Sequence, residues 1–311
     1  MGGGLSPNGK LLSTYTAQSD RGYDRFFGDA VVWRVASGEK LMRPVRFGGL
    51  MSGAVCVAWS PDNRSIAVGG WSGGLSGLDA RLALYDAATG EKRDMTLEHG
   101  GNAAVSHALY DPTSKYLATL TTNPLSSTRS ELRLWDTTTG TQIGETAPIA
   151  GAATDITIDN ASRRVAVASA QRVHLLDLVT ARPASPPLLH PGVVTGVAFD
   201  PDGDLIVTRS RDNAVRVWEV ATGRSVGHPF QHTARLLDAR LTEGGRLITA
   251  CADNLVRVWD LSPLGWPSDD LDRLAHVAAG ESGVRSDASP PPASIVEDWP
   301  RHNERYPAEL A

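Results

Sequence analysis

The sequence lacks the features of a membrane-spanning or exported chain. No apolar run approaches the roughly 18 residues that a membrane-spanning helix needs. The start, Met1-Gly-Gly-Gly-Leu-Ser-Pro7, has neither the basic region nor the apolar stretch of a signal peptide. Only two cysteines are present, Cys56 and Cys251, and they fit neither a disulfide framework nor a metal site. We therefore expect a chain that works in a reducing compartment, the cytoplasm, unless a preceding segment changes its destination.

The body of the chain also lacks a net charge. The whole sequence has 30 Lys and Arg against 35 Asp and Glu, and residues 268–311 carry the entire excess with nine acids and four bases. A neutral body offers no electrostatic footprint for nucleic acid or an anionic membrane, so we expect neither as a partner. Lysine is scarce, with four Lys against 26 Arg, which we attribute to codon composition.

What the sequence does contain is a repeat. A short alternating strand that ends in an aromatic residue and an acid recurs with steps of 52, 50, 41, 42 and 41 residues. Turns with Thr-Gly follow it, and turns such as Pro201-Asp-Gly203 precede it. A period of about 40–45 residues with a Trp-Asp strand end is typical of propeller blades with four antiparallel strands. The aromatic positions of the six copies are Trp33, Tyr85, Trp135, Leu176, Trp218 and Trp259.

These residues resemble the WD40 repeat, so the chain is identified as a WD40 repeat protein. The resemblance implies an all-β propeller of about six blades over residues 1–262, the first and last incomplete, followed by an acidic, partly helical tail over 263–311. It also implies a scaffold for protein–protein contacts, without catalysis and without a cofactor or metal. The copies lie near 5–47, 48–97, 98–147, 148–189, 190–230 and 231–262.

The resemblance further implies a hydrogen-bonded chain of four side chains within a blade. In two copies Asp lies six residues, and Thr ten residues, before Trp. We interpret this set as structural rather than as a hydrolase triad, because it repeats and a catalytic site would occur once. The fourth copy has Ala166, Ala170 and Leu176 at the matching positions, so we expect that blade to be the least rigid. The predicted members are His190, Thr208, Asp212, Trp218, His232, Thr249, Asp253 and Trp259.

One segment matches a catalytic motif. Gly70–Gly74 fits G-x-S-x-G, whose serine is a nucleophile when it lies on a sharp strand-to-helix turn. We interpret the segment as an ordinary glycine-rich loop. A hydrolase or lactonase remains the alternative to a scaffold, and it would need a unique cluster of carboxylates or histidines at the centre of the propeller.

Three consecutive copies carry extra residues between their second and third strands. From the turn to the aromatic position the fifth copy spans 17 residues, whereas the first three span 26, 24 and 23. We expect these insertions to form loops on one face that bind a protein of unknown identity, because exposed aromatic and Arg side chains are typical of binding hot spots. The alternative is that they cover a neighbouring blade. The candidate partner-binding residues are Tyr23, Arg25, Phe26, Phe27, Trp71, Leu75 and Arg129.

The ends of the chain do not match a closed ring. The first copy begins at its Pro-Asn-Gly turn and the last ends after its third strand, which predicts about 22 strands instead of about 24. This count predicts the C-terminal part of a longer protein or a gene fragment without independent function; a ring completed by its own tail is the alternative. The tail runs Asp269-Asp-Leu-Asp-Arg-Leu-Ala275 and Arg305-Tyr-Pro307. It resembles that of bacterial WD40 proteins, several of which carry an N-terminal serine/threonine protein kinase domain.

Overall fold

The fold is all-β. A computed structural model describes residues 2–19, 26–42, 45, 51–74, 77–95, 97–101, 103–123, 129–261 and 294–295. These residues form strands and turns, and no helix among them is long and apolar enough to cross a membrane. The strands belong to six antiparallel sheets. The all-β prediction is confirmed, whereas the helices predicted for the tail lie outside the described residues.

The chain divides into two compact units, Met1–Val197 and Ala198–Ala311. Most strands belong to the first unit, and β15 runs across the boundary in the sequence. The strands up to that point are β1 (Gly2–Leu5), β2 (Leu11–Ser19), β3 (Phe26–Arg34), β4 (Met51–Trp59), β5 (Ser65–Gly74), β6 (Gly77–Asp86), β7 (Ala104–Tyr110), β8 (Tyr116–Thr122), β9 (Arg129–Asp136), β10 (Gln142–Ala150), β11 (Ala153–Ile158), β12 (Arg164–Ser169), β13 (Arg172–Asp177), β14 (Leu188–Leu189) and β15 (Val194–Phe199).

The second unit continues the same pattern. Its strands are β16 (Leu205–Ser210), β17 (Ala214–Glu219), β18 (Ser225–Gln231), β19 (Leu236–Leu241), β20 (Arg246–Cys251), β21 (Val256–Asp260) and β22 (Ser294–Ile295). The six sheets have the orders β1-β2-β3, β4-β5-β6, β10-β9-β8-β7, β11-β12-β13-β14, β15-β16-β17-β18 and β19-β20-β21-β22. Each sheet is therefore a meander of consecutive strands, as the repeat predicts.

Tight turns join the first and second strands of a sheet. Gly9 and Gly203 have φ values of 67° and 78°, in the left-handed region that glycine adopts without steric cost. Asn63 takes this position in the second sheet at 62°, and Asn tolerates it better than most residues. Asp200 accepts the backbone N–H of Leu205 at 2.9 Å across such a turn. The turns fix the strand register, and the register decides which face of each strand is buried.

Buried aliphatic side chains fill the space between strands within each unit. In the first unit Leu120, Leu134 and Val167 belong to one core cluster and have no exposed surface. In the second unit Val217 and Leu247 are buried in a separate cluster. Complete burial of such a side chain contributes about 1.5–3 kcal/mol, so these clusters supply much of the stability of each unit.

Two strands that the sequence analysis counted as absent are present. β1 pairs with β2, with Leu5 opposite Leu12. β22 pairs with β21, with Ile295 opposite Arg257 and Ser294 opposite Val258. The prediction that the first copy lacks its inner strand and the last its outer strand is therefore wrong, although the first sheet still has three strands rather than four among the described residues. The sequence did not reveal these strands because β1 begins with three glycines, which show no alternation of polar and apolar side chains, and β22 has only two residues, too few to show a period.

Candidate functional site

A chain of hydrogen bonds connects three side chains of the sixth copy. Trp259 Nε1 donates to Thr249 Oγ1 at 3.2 Å, and Thr249 Oγ1 lies 2.9 Å from His232 Nε2. His232 Nδ1 lies 2.9 Å from the carbonyl oxygen of Phe230. Because a carbonyl only accepts, Nδ1 carries the proton and Nε2 accepts from the Thr249 hydroxyl. Burial lowers the pKa of His232, which favours this neutral form.

The third copy has the same chain of hydrogen bonds, which the sequence analysis did not predict. Trp135 Nε1 donates to Thr119 Oγ1 at 2.9 Å, and His99 Nε2 lies 2.9 Å from that oxygen. His99 Nδ1 lies 2.8 Å from the carbonyl oxygen of Leu97, and burial lowers the pKa of His99 to about 4. Thr119 precedes Trp135 by 16 residues rather than ten, because six extra residues lie between them. Subtracting these six inserted residues from the spacing of 16 gives ten, which would have identified Thr119 from the sequence.

Two further copies have the hydrogen bond between tryptophan and threonine. Trp218 Nε1 donates to Thr208 Oγ1 at 3.0 Å in the fifth copy, and Trp33 Nε1 donates to Thr14 Oγ1 at 2.9 Å in the first. His190 of the fifth copy is buried, with Nδ1 3.3 Å from the carbonyl oxygen of Leu188. The tryptophan of each of these copies therefore donates to a threonine on the neighbouring strand, which is a structural role.

Asp212 and Asp253, which were predicted to belong to the hydrogen-bonded chain, form ion pairs with arginine. Asp212 Oδ2 is 2.8 Å from Arg216 Nη2, and Asp253 Oδ2 is 2.8 Å from Arg257 Nη2. The hydrogen bond from Arg257 lowers the pKa of Asp253, so this carboxylate stays ionised. The arginines lie two residues before tryptophan, and Arg133 of the third copy holds the same position. Arg-x-Trp is therefore a second repeated pattern, and it gives three of the 26 arginines a structural role.

The fourth copy has neither the hydroxyl nor the indole. In the copies that have the chain, the threonine pairs across the sheet with the residue two before tryptophan. In the fourth copy the residue two before Leu176 is His174, and its partner is Val167. The threonine position is thus Val167 and not Ala166, because this hairpin is one residue shorter than that of the fifth copy.

The three insertions lengthen hairpins rather than form loops. In the fifth copy the pair of β16 and β17 nearest the connecting turn is Arg209 with Val215, and Val215 lies three residues before Trp218. Beyond the matching position, β2–β3 has four more pairs, β5–β6 has five and β8–β9 has two. We call these added pairs the hairpin extensions. The loop prediction is therefore wrong for most of the inserted residues, because a longer interval between two strands can lengthen the strands themselves as well as the loop that joins them.

Of the candidate partner-binding residues, Phe26, Phe27 and Trp71 lie on the hairpin extensions, and Arg129 lies next to the last added pair of β8 and β9. Phe26 and Phe27 are the first two residues of β3, and Trp71 lies on β5, partly buried. Arg129 is the exposed first residue of β9. Tyr23, Arg25 and Leu75 lie outside the described residues.

The G-x-S-x-G segment is also part of a strand. Gly70–Gly74 lies within β5, and the loop interpretation of it is wrong. The Ser72 side chain is buried, and its Oγ accepts a hydrogen bond from Arg81 Nε at 2.9 Å. A nucleophile elbow needs a strand-to-helix turn, and a mid-strand serine held by a guanidinium does not provide one.

One cavity in the first unit brings together the residue types that a hydrolase would need. It has a volume of about 340 Å³ and is lined by residues of β2, β4, β7 and β11. Ser106 Oγ lies 3.1 Å from His107 Nδ1, and Asp155 lines the same cavity. Burial lowers the pKa of His107, so the imidazole is neutral.

The polar groups of this cavity already hold strands together. The Ser106 hydroxyl donates to the Leu120 carbonyl oxygen at 3.2 Å. The two oxygens of Asp155 accept the backbone N–H groups of Ile156 and Val197, each at 3.0 Å. Burial raises the pKa of Cys56 in the same cavity to about 12, so its thiol is not a nucleophile. In the described part of the chain, no group of three or more His, Cys, Asp or Glu side chains forms a metal site.

Six sheets of consecutive antiparallel strands, with a Trp–Thr hydrogen bond repeated in four copies, define a repeat protein of the propeller class. The sequence model of the family described as WD domain, G-beta repeat, matches residues 47–76, 189–219 and 223–260. The chain therefore carries WD40 repeats, as predicted, and its all-β fold agrees with a WD40 propeller. No curated protein matches the chain. WD40 domains generally act as non-catalytic scaffolds that bind other proteins.

Proposed function

We propose that this chain is a non-catalytic scaffold that binds a protein partner through the hairpin extensions. The observation that carries the proposal is that these extensions occur in three consecutive sheets, at β2–β3, β5–β6 and β8–β9. Backbone pairing holds residues at fixed positions, so a partner that binds there loses little conformational entropy in ordering them. Hairpins that were merely connections would not need this length.

The chemistry of the second extension supports the same proposal. Arg81 and Asp79 form a 3.3 Å ion pair, with 53% and 60% of their side chains exposed. An exposed pair of this kind contributes at most about 1 kcal/mol to folding, so both groups are available to a partner. Arg129, which follows the last added pair of β8 and β9, is exposed as well. The finer proposal adds the aromatic residues of the first insertion, Tyr23, Phe26 and Phe27.

A capture experiment with a matched control tests this proposal. The triple variant Tyr23→Ser, Phe26→Ser, Phe27→Ser alters the first hairpin. The control Leu255→Ser, Val256→Ser alters exposed apolar residues, 42% and 51% accessible, on a hairpin without an extension. A partner is captured with the native chain and identified by mass spectrometry, and its Kd is then measured with purified components.

We expect the triple variant to weaken binding by about 30-fold or more, as loss of a hot spot of about 2 kcal/mol would do. The control should bind like the native chain, and both should keep the native melting temperature. A large loss of thermal stability in the triple variant would show that these side chains cover the fold instead. Equal binding by all three proteins would reject the first hairpin extension as the surface.

A hydrolase is the second candidate, and the Ser106–His107 contact is the observation that favours it. The test is a panel of esters and lactones, assayed with and without EDTA, using the native chain and Ser106→Ala. The scaffold proposal expects no turnover above background in either protein. Turnover that disappears in Ser106→Ala, or in EDTA, would replace the scaffold with an enzyme.

The proposal has a finer form, in which the chain is the regulatory part of a larger signalling protein in the cytoplasm. The resemblance of the tail to kinase-linked bacterial WD40 proteins supports the first part. Two free, buried cysteines fit a reducing compartment. Sequencing the DNA upstream of the Met1 codon tests it: an open frame that encodes a kinase domain is the expected result, and an in-frame stop codon directly before Met1 would reject it.

A further inference from the structure

A groove of about 260 Å³ lies between β10 and β13 in the first unit. Ala147 and Ile149 form one wall, and Leu176 and Ala181 the other; all four belong to the buried core. His174 also lines the groove, together with the polar residues Glu145, Thr146, Thr180, Arg182 and Ser185. We call this site the β10–β13 groove.

The groove occupies a place where the sixth copy has two aromatic rings. There Trp259 packs against Phe230 of the preceding outer strand, with ring centroids 5.1 Å apart. Phe230 lies opposite Val215, which is three residues before the tryptophan of its own sheet. In the third copy Ala147 lies opposite Leu132, which is likewise three residues before the tryptophan. Leu176 stands at the tryptophan position of the fourth copy. Two aromatic side chains are thus replaced by smaller ones on the facing walls.

His174 also differs from its counterparts. It stands two residues before the tryptophan position, where Arg216 and Arg257 each pair with a carboxylate at 2.8 Å. Its Nε2 is buried and has no hydrogen-bond partner among the described residues. Burial, and then the nearby Arg172, lower the pKa of His174, so the ring is neutral at pH 7. A buried, unpaired ring nitrogen is rare in folded proteins and calls for a partner.

Both walls of the groove are held by backbone constraints. On one side β10 bulges between Ile143 and Ala147, where Gly144 has φ of 63° and packs against the Thr180 carbonyl. On the other side the outer strand pairs with β13 only through Leu188–Leu189 and the isolated bridge at Pro183. Between these points Pro186 and Pro187 have no N–H to donate. The gap between β10 and β13 therefore results from the backbone geometry on both sides of the groove.

We propose that the β10–β13 groove binds the side chain of a tyrosine from a protein partner, with its phenol hydroxyl on His174 Nε2. The proposal rests on the proposed scaffold function for the source of that tyrosine. Tyrosine has an apolar body and one polar tip, which matches the aliphatic side chains of the groove and the unpaired nitrogen of His174. A phenol hydroxyl both donates and accepts, so it pairs with either tautomer of the neutral ring, whereas an indole N–H only donates.

The test uses N-acetyl-tyrosinamide as the probe and NMR of the His174 imidazole in the full chain as the readout. We expect a saturable shift of the His174 resonances with a millimolar Kd. N-acetyl-phenylalaninamide, which lacks the hydroxyl, should bind about tenfold more weakly, the value of one buried hydrogen bond. Equal affinity for the two amides, or tighter binding of N-acetyl-tryptophanamide, would overturn the tyrosine assignment.

Two variants distinguish the groove from the surface elsewhere. Leu176→Trp fills the groove and should abolish the shift, while Leu189→Trp adds the same ring at a position that is 65% exposed and should leave binding native. His174→Leu should reduce the preference for tyrosine over phenylalanine to about twofold or less. Undiminished binding of the probe by Leu176→Trp would reject the groove.

The captured partner separates the two proposals. If Leu176→Trp weakens binding of the purified partner as it weakens binding of the amide, both stand. If the amide binds but the native chain captures no protein, the groove stands and the scaffold fails. If the partner binds Leu176→Trp normally and the amide does not bind the native chain, the scaffold stands and the groove fails.

Discussion

The hydroxyl oxygen of Thr119 lies 2.9 Å from the indole nitrogen of Trp135, although 16 residues separate them. The equivalent pair in the sixth copy, Thr249 and Trp259, is ten residues apart. Four of the six additional residues form the two further strand pairs of the hairpin extension. The insertion therefore lengthens the hairpin at its turn end, and the strand register near Trp135 is unchanged.

Replacing Thr119 with Val should destabilise the protein. The change leaves both Trp135 Nε1 and His99 Nε2 without a partner in a buried site, which costs about 2–3 kcal/mol. Chemical denaturation monitored by tryptophan fluorescence measures it. Thr141→Val is the control, because Thr141 is exposed, and it should change stability by less than about 0.5 kcal/mol. Equal effects of the two variants would mean that the hydrogen-bonded chain does not stabilise the fold.

Acid should destabilise the protein through His99. Its pKa is about 4 in the folded state and 6.5 in the reference state. Between these values the unfolded chain binds the proton and the folded chain does not, so stability falls as the pH is lowered from 6.5 to 4. The full loss is about 3 kcal/mol. Unfolding free energies measured at several pH values should show a smaller decline for His99→Gln than for the native chain.

The same measurement has an internal control. His228→Gln changes an exposed histidine and should leave the native pH dependence in place. His107, His174 and His232 also have lowered pKa values, so His99→Gln should retain part of the decline. Parallel pH profiles for His99→Gln and the native chain would contradict a buried neutral His99.

Gly144→Ala should cost more than Gly9→Ala. Both glycines have positive φ, so each substitution adds backbone strain of about 1 kcal/mol. A Cβ at Gly144 would lie 2.5 Å from the Thr180 carbonyl oxygen, whereas a Cβ at Gly9 would meet nothing within 4 Å. We expect a difference of at least about 1 kcal/mol between the two variants, measured as a difference in midpoint and slope of urea unfolding. Equal losses would mean that the β10 bulge can relax.

The sequence reveals those parts of the fold that repeat at a constant offset. Thr208 and Trp218 stand ten residues apart, as do Thr249 and Trp259, so the family spacing leads directly to both pairs. Thr14 and Thr119 escape the same reasoning, because insertions separate them from Trp33 and Trp135 by 19 and 16 residues. Subtracting the insertions of nine and six residues restores the spacing of ten in both copies, so these pairs can be found once the insertion lengths are taken into account.

Other features were misread because their residues carry weak local signals. β1 begins with three glycines and therefore shows no alternation of apolar side chains. The segment Gly69–Gly74 reads as a loop from composition, but its backbone pairs on both sides as a strand. The β10–β13 groove depends on Ala147 and Leu176, which are 29 positions apart in the sequence and become neighbours only in the folded unit. No motif marks such a site.

The fourth strand of the last sheet has a consequence for how the protein is made. β20 and β21 pair residues eight apart, such as Thr249 and Arg257, whereas β21 and β22 pair Arg257 with Ile295. At a translation rate of about 5–20 residues per second, the 38 residues between these partners require roughly 2–8 s to synthesise. During that interval one edge of β21 is available to other nascent chains, and open strand edges promote aggregation. The last sheet is therefore completed later in synthesis than a sheet whose strands are all joined by short hairpins.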